Sequence, residues 1–261
     1  MARYQIILAY DGTDFLGSQR QTSTSPSPGA DSRTVQSEFE KALRKIGWQG
    51  RSILLAGRTD TGTHASGQVA AFDLDWVHGL DKLKDALNAH LPRDMAVQAV
   101  GAAPENFHPR FDASARRYRY RLFCTNVRDP LRERYAWRVW PPVGDLRPLA
   151  DIWPGKHDFA LFGSSPRPGG SSVRTVHSAK WQKRADEWIF DIQADAFLYR
   201  MVRRLVYTQV AVGQGRLPAE TLVRALDNRP EVRQAVRSEI PASLAPAAGL
   251  TLVEVCYDNL V

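Results

Sequence analysis

The sequence predicts an α+β protein of two related halves, each of ferredoxin-like order, whose antiparallel sheets merge and leave a cleft between them. Three observations predict it. Up to Val100 the chain reads strand, helix, strand, strand, helix, strand, the split pattern in which helices cover one face of an antiparallel sheet. The second half repeats these ingredients less cleanly. At 261 residues there is room for two domains of roughly 100–200 residues each, and the predicted halves span 1–110 and 111–261.

Each element has its own signal. Tyr4 to Tyr10 is the apolar run of a buried strand. Val35, Phe39, Ala42, Leu43 and Ile46 then recur at helical spacing behind Thr34, an N-cap residue, and Gly47 ends that helix. Ser52 to Ala56 and Gln68 to Leu74 read as strands. Leu80, Leu83, Leu87 and Leu91 mark a second helix stopped by Pro92, and Met95 to Val100 is a further strand. From Ala115 to Thr125 the residues alternate, with Tyr118, Tyr120 and Leu122 on one face and Arg117, Arg119 and Arg121 on the other. Strands follow at Ser172 to Lys183, Trp188 to Ala194 and Leu250 to Tyr257, interrupted by a helix from about Phe197 to Val212. Arg128 to Pro148, rich in Arg, Pro and Trp, reads as the connector. Gln21 to Arg33 and Ser164 to Ser172 read as mobile surface loops of Ser, Pro, Gly and Thr.

The charge balance favours an anionic partner. There are 35 Lys and Arg against 28 Asp and Glu, for a formal net charge of +7. Nine arginines lie between Arg110 and Arg138, opposed locally by Asp112, Asp129 and Glu133 alone, and arginine suits bidentate phosphate contacts and stacking on bases. Cys124 and Cys256 stand far apart, which indicates neither a disulfide framework nor a zinc ribbon and fits a reducing compartment. The first residues read directly into a strand without a signal sequence, and no run approaches the roughly 18 apolar residues of a membrane span. A soluble cytoplasmic protein is expected.

The run Ala56-Gly57-Arg58-Thr59-Asp60-Thr61-Gly62-Thr63-His64-Ala65 sets one carboxylate among glycines and hydroxyls. A P-loop would place Lys and then Ser or Thr after the second glycine, where this chain has Thr63 and His64, so the run does not match a phosphate-cradling P-loop. Asp60-Thr61-Gly62 also matches the tripeptide of aspartic proteases, which need two carboxylates sharing a proton; a protease here would have to assemble its pair by dimerisation. An Asp in such a turn can also simply cap it through its own side chain. A further alternative is a lone ionised carboxylate kept charged by Arg58.

Elsewhere the residues are less specific. Tyr118 alone reads as a core aromatic, and Arg200, Arg203 and Arg204 form a basic stripe on an otherwise apolar helix. The histidines show no ligand spacing, so no metal is expected, and His64 reads as a turn-stabilising side chain. The His-x-Glu with Pro-Cys-x-x-Cys pattern of zinc base deaminases is absent.

Taken together, eight ordered blocks resemble the TruA family of tRNA pseudouridine synthases. They are Tyr10-Asp11-Gly12-Thr13-x-x-x-Gly17-x-Gln19-x-Gln21, Arg33-Thr34-Val35-Gln36, Ala56-Gly57-Arg58-Thr59-Asp60-x-Gly62-x-His64-Ala65 and Phe107-His108-x-Arg110-Phe111. The others are Ala115-Arg116-Arg117-Tyr118-Arg119-Tyr120, His157-Asp158-Phe159, Phe197-Leu198-x-x-Met201-Val202-Arg203 and Gly249-Leu250-x-Leu252. The resemblance implies isomerisation of uridine to pseudouridine at positions 38, 39 and 40 of the tRNA anticodon stem-loop, without cofactor or metal. It also implies a homodimer with two RRM-like halves around a central RNA-binding cleft, the pseudouridine synthase fold. The partner implied is tRNA, with neither DNA nor membrane. By the same resemblance Asp60 is the catalytic residue and Tyr118, Arg58 and Arg203 bind substrate: Tyr118 stacks on the target base, Arg203 pairs with Asp60, and Arg58 helps expose the uridine. Thr63 stands where the family usually has Val, Ser18 where Trp is frequent and Tyr207 where Gly is common, and the Gln21–Arg33 connector is longer than usual.

The chemistry suits these residues. Pseudouridine formation breaks the bond from ribose to a base nitrogen, turns the base and rejoins the sugar to a base carbon. One ionised carboxylate can serve, by attacking the sugar, by attacking the base or by taking a sugar proton. Hydrolysis of a glycosidic bond needs two carboxylates, whereas rejoining needs one and must keep water out. Reaching a stacked uridine requires flipping it out at a cost of a few kcal/mol. Stacking on a ring such as Tyr118 returns about 1–3 kcal/mol.

Overall fold

A computed structural model describes residues 1–20, 33–167 and 169–258. Most of the Gln21–Arg33 loop lies outside the described residues. Contacts divide the chain into two compact units, one of residues 1–114 with the strand from Thr251 onward, the other Ala115–Leu250.

The first unit is a ferredoxin-like layer. Strand β1 (Ala2–Tyr10) runs between β3 (His64–Leu74) and β4 (Met95–Ala102), antiparallel to both. Helix α1 (Val35–Lys45) precedes a two-residue strand β2 (Leu54–Leu55), and α2 (Leu80–His90) precedes β4. The order β4-β1-β3 with β2 on the far edge of β3 is the one the strand and helix sequence predicts. Helix α1 starts where Thr34 suggests: its hydroxyl accepts the Ser37 amide at 3.1 Å while Ser37 Oγ accepts the Thr34 amide at 3.0 Å, a reciprocal cap. Val35, Phe39, Ala42 and Leu43 of α1 and Leu83 and Leu87 of α2 are buried with Ile6, Leu8 and Phe72 of the sheet.

Two sequence expectations shift here. The strand read as Ser52 to Ala56 shrinks to Leu54–Leu55, while the next begins at His64 rather than Gln68, because the polar residues after the Asp60 turn are already pairing. Strand β10 (Leu250–Cys256) pairs in parallel with β3, Thr251 beside His64 and Leu252 beside Ala65. The last strand therefore belongs with the first unit, although chain order groups it with the second half.

The second unit holds the antiparallel order β5 (Ala115–Cys124), β9 (Glu187–Ala194), β8 (Val173–Arg184) and β7 (Gly155–Asp158). The segment read as a connector contributes a short strand, β6 (Trp137–Val139), parallel to β5, and runs into a single turn of helix, α3 (Arg147–Ala150). Helix α4 (Met201–Gly213) buries Met201, Val202, Leu205, Val206 and Val210. It meets the sheet through a hydrogen bond from the Trp181 ring N–H to Gln209 Oε1 at 2.7 Å. Two short helices, α5 (Ala219–Ala225) and α6 (Pro230–Val236), follow. Their seven-residue length gives too little periodicity to read from sequence. Among the described residues no helix is long and apolar enough to cross a membrane.

Candidate active site

The Asp60 turn is built by the connection from β2 to β3. After Ala56 donates to Val69 O at 2.9 Å the chain leaves the sheet. Gly57 is then gripped by one side chain: its amide donates to Gln68 Oε1 at 3.1 Å, and its carbonyl accepts from Gln68 Nε2 at 2.9 Å. Thr59 is gripped by two. Its amide donates to Ser18 Oγ at 2.8 Å, its carbonyl accepts the Ser18 amide at 3.1 Å, and its hydroxyl lies 2.8 Å from the Tyr10 phenol. The Thr63 amide closes the turn on Asp60 O at 3.0 Å, with Gly62 at φ +77°, a backbone conformation that glycine adopts without strain. Asp60 is half-buried. Arg58 is exposed, and it makes no hydrogen bond or ion pair with the described residues.

Burial pushes the Tyr10 phenol up to about 12 against the opposing hydrogen bonds from Thr59 and Gln68, so it stays neutral across the physiological range. Gln68 Nε2 also donates to the phenol oxygen at 3.4 Å, so the phenol has hydrogen-bond partners on both Thr59 and Gln68. The buried His64 at the far end of the turn accepts the Gly12 amide at Nδ1, 3.0 Å away, with Asp11 Oδ1 at 3.2 Å. It thereby ties the turn to the segment after β1. The Thr63 hydroxyl is buried and has no hydrogen-bond partner among the described residues.

Arg58 and Asp60 thus share one turn of the first unit, while Tyr118 and Arg203 belong to the second. Tyr118 is 8% exposed on β5, its ring edge-on to Phe197 at 5.0 Å. The arginine cluster is less cationic than its composition suggests. Arg119 pairs with Asp191 at 2.8 and 3.0 Å, Arg121 with Glu187, and Arg132 with Asp186 at 2.7 Å. Arg128 and Arg138 share Glu133. Three of those four carboxylates come from β9 and the turn before it, the antiparallel neighbour of β5 in the sheet but distant in sequence.

The basic stripe is also smaller than expected. The helix read from Phe197 starts at Met201: Tyr199 forms an isolated bridge with Ser164, and Arg200 sits in the left-handed region at φ 63° as the residue before α4. Only Arg203 and Arg204 of the three arginines lie on the helix. Arg203 Nε donates to Ala245 O at 2.8 Å, and Ala245 N returns a bond to Arg203 O at 3.2 Å. Its charge opposes the burial that raises the Tyr120 phenol well above its ordinary value. Arg204 is half-buried rather than exposed, donating to Leu161 O at 3.4 Å and Ala242 O at 3.5 Å; burial, then the Arg200 charge, lowers its pKa. Tyr207, where the resembled family commonly has Gly, stacks on Trp137 at 6.0 Å, and the Arg216 guanidinium lies over the Tyr207 ring at 5.7 Å.

Sequence reasoning passed over Ser18 as a departure, and Tyr10 and Gln68 as strand residues. The available signal was Gln68 itself, a polar side chain inside an apolar strand, which is buried at 0% exposure and needs partners. Among the described residues no three His, Cys, Asp or Glu side chains cluster as a metal site.

The profile of a family described as tRNA pseudouridine synthase matches residues 6–112 and 150–258. The chain is 39% identical over 268 residues to the tRNA pseudouridine synthase A of Chloroflexus aurantiacus, covering 98% of this chain and 89% of that protein. It is 37% identical over 266 residues to the protein of that name from Limosilactobacillus fermentum, covering 99% and 97%. For the Brevibacillus brevis protein the identity is 38% over 260 residues, covering 98% and 100%.

Proposed function

The chain belongs to the tRNA pseudouridine synthase family, and from that premise we propose that it isomerises uridine to pseudouridine at positions 38, 39 and 40 of the tRNA anticodon stem-loop, with Asp60 as the catalytic carboxylate. The enzyme is an isomerase acting on tRNA. The observation that carries the assignment of Asp60 is its turn: a half-buried carboxylate preceded by Gly57 and Thr59, whose backbones are held by Gln68 and Ser18, with the Thr59 hydroxyl against Tyr10. Such preorganisation is what a reacting group needs.

The reaction conserves atoms. The bond from ribose C1′ to base N1 breaks, the base turns, C1′ bonds to C5, the C5 proton is lost, and N1 gains a proton. Asp60 must begin ionised and be regenerated at the end, whichever of its three routes it takes. Because the sugar must rejoin carbon and not water, the extruded uridine has to be shielded while the glycosidic bond is open. Tyr118 is assigned the role of stacking on that base, Arg203 that of pairing with Asp60, and the exposed Arg58 that of holding the uridine out of the stem. Homodimeric assembly, on the same family grounds, and action in the cytoplasm, on the unpaired spacing of Cys124 and Cys256, complete the reading.

The test is to map pseudouridine in an in vitro transcribed tRNA before and after incubation with the purified chain. New pseudouridine confined to 38–40 supports the reading. Modification elsewhere, or none in a folded protein that binds the tRNA, overturns it, the second outcome leaving a tRNA-binding protein without this activity.

A further inference from the structure

We propose that Ser18 is a positioning residue for Asp60, acting with Tyr10 and Gln68 as a buried clamp on the two residues that flank Arg58; this rests on the reading of Asp60 as the catalytic carboxylate. The clamp has a continuous mechanical path. Gly17 O and Ser18 O accept the Val35 and Gln36 amides at 3.2 and 2.9 Å, using amide donors that the first turn of α1 leaves without helical partners. Ser18 is therefore moored to a capped helix. From there its hydroxyl and amide make a reciprocal pair with the amide and carbonyl of Thr59. Gly17 allows the approach: its φ is +89°, and a Cβ there would meet Thr59 O at 3.1 Å.

From the other side, Gln68 on β3 makes its reciprocal pair with Gly57, and Tyr10 on β1 holds the Thr59 hydroxyl. Ser18 and Gln68 are 0% exposed, Tyr10 4% and Thr59 8%. One helix and two strands thus fix Gly57 and Thr59, so Arg58 and Asp60 start from a backbone with little freedom. A carboxylate held this way reacts without first being ordered, and misplacing it by about 1 Å costs on the order of a hundredfold in rate. The clamp acts without touching substrate. Its effect passes through Thr59 to Asp60.

The experiment compares Ser18→Ala, Tyr10→Phe and Ser52→Ala. The Ser52 hydroxyl accepts from Gln36 Nε2 at 2.8 Å in the same unit without touching the turn, so it controls for loss of a hydroxyl. Single-turnover pseudouridine formation at saturating tRNA, the tRNA Kd, the Tm and hydrogen exchange at the Thr59 amide are measured for each. Ser18→Ala is expected to slow the reaction by about tenfold or more, leave Kd within about twofold and speed exchange at Thr59. Tyr10→Phe, which deletes one oxygen and keeps the ring, is expected to give the same pattern more weakly, and Ser52→Ala to keep the wild-type rate. A Ser18→Ala enzyme with the wild-type rate overturns the clamp, as does a loss confined to Kd, or an equal rate loss in Ser52→Ala at equal Tm. An inert wild-type chain overturns the functional reading, and with it the clamp as a catalytic device.

Discussion

Asp60 and Thr63 sit three residues apart in one turn and are expected to behave in opposite ways on substitution. Asp60→Asn keeps the size of the side chain and removes the charge that the chemistry needs. Pseudouridine formation should be abolished while tRNA binding stays within about tenfold, roughly 1.4 kcal/mol, because affinity is spread over many cations. A filter-binding assay beside a pseudouridine assay checks both halves; wild-type turnover in a folded Asn variant would remove Asp60 from the mechanism. Thr63→Val removes a buried hydroxyl that has no partner among the described residues. Leaving such a group unsatisfied costs about 1–3 kcal/mol, so the valine variant is expected to be more stable by about 1 kcal/mol in urea unfolding, with its activity retained. A lower urea midpoint would show that the hydroxyl has found a water or other partner.

Helix α4 separates two arginines that look equivalent in sequence. Arg203 and Arg204 both reach backbone carbonyls of the segment before β10, Arg203 at Ala245 and Arg204 at Ala242, but Arg204 is also pulled toward Leu161 and desolvated. Arg203→Met is expected to lower the single-turnover rate far more than tRNA affinity, since its assigned partner is Asp60. Arg204→Met is expected to lower the Tm instead, through the loss of its contacts to Leu161 and Ala242. Equal rate losses in the two variants would reduce Arg203 to one more structural or phosphate-binding cation. The start of α4 shows the limit of a periodicity argument: apolar spacing runs on through Phe197 and Leu198, yet Tyr199 is drawn into a bridge with Ser164, and Arg200 takes a left-handed backbone. By contrast, the start of α1 is legible, because Thr34 and Ser37 settle it between themselves.

Across the whole molecule, the charge and its pairing govern two expected responses. RNA affinity should fall by about tenfold or more between 50 and 200 mM salt, through counterion release, since the net charge is +7. The slope should be shallower than nine unpaired arginines would give, because at least five of those from Arg110 to Arg138 have carboxylate partners among the described residues. A flat binding curve would exclude phosphate contacts as the main source of affinity. The second response is to acid. Hydrogen bonds from Arg3, Arg128 and Arg132 hold the Asp73, Glu133 and Asp186 carboxyls below their ordinary range, and Arg147 and Arg229 bring Asp145 and Asp227 to about 2. Each folded-state value lies below its unfolded one of about 4, so the stabilisation is in place above about pH 4 and is lost as pH falls from there toward 2. Urea midpoints should stay level between about pH 6 and 8 and decline below about 4, gently, since these pairs are solvent-exposed. A midpoint that rises on acidification would contradict the assigned pairs.

What the sequence determined by itself is whatever a few neighbouring residues decide. The alternation of Tyr118, Tyr120 and Leu122 with arginines marks β5, the Thr34 cap starts α1, and the Gly-Arg-Thr-Asp turn and its carboxylate can be read directly from residues 57–60. The tertiary structure alone decided which arginines are neutralised, where β10 pairs, and what holds Asp60. Ser18 is 41 residues from Thr59 and Tyr10 is 49, while the partners of the β5 arginines arrive on β9, 66 and 72 positions away. Periodicity and capping are governed by hydrogen bonds within about one helical turn or one strand, so they leave a pattern in the sequence. A buried side chain's partner is chosen by close packing of elements brought together from anywhere in the chain, and that choice leaves no mark at the residue until the fold is formed.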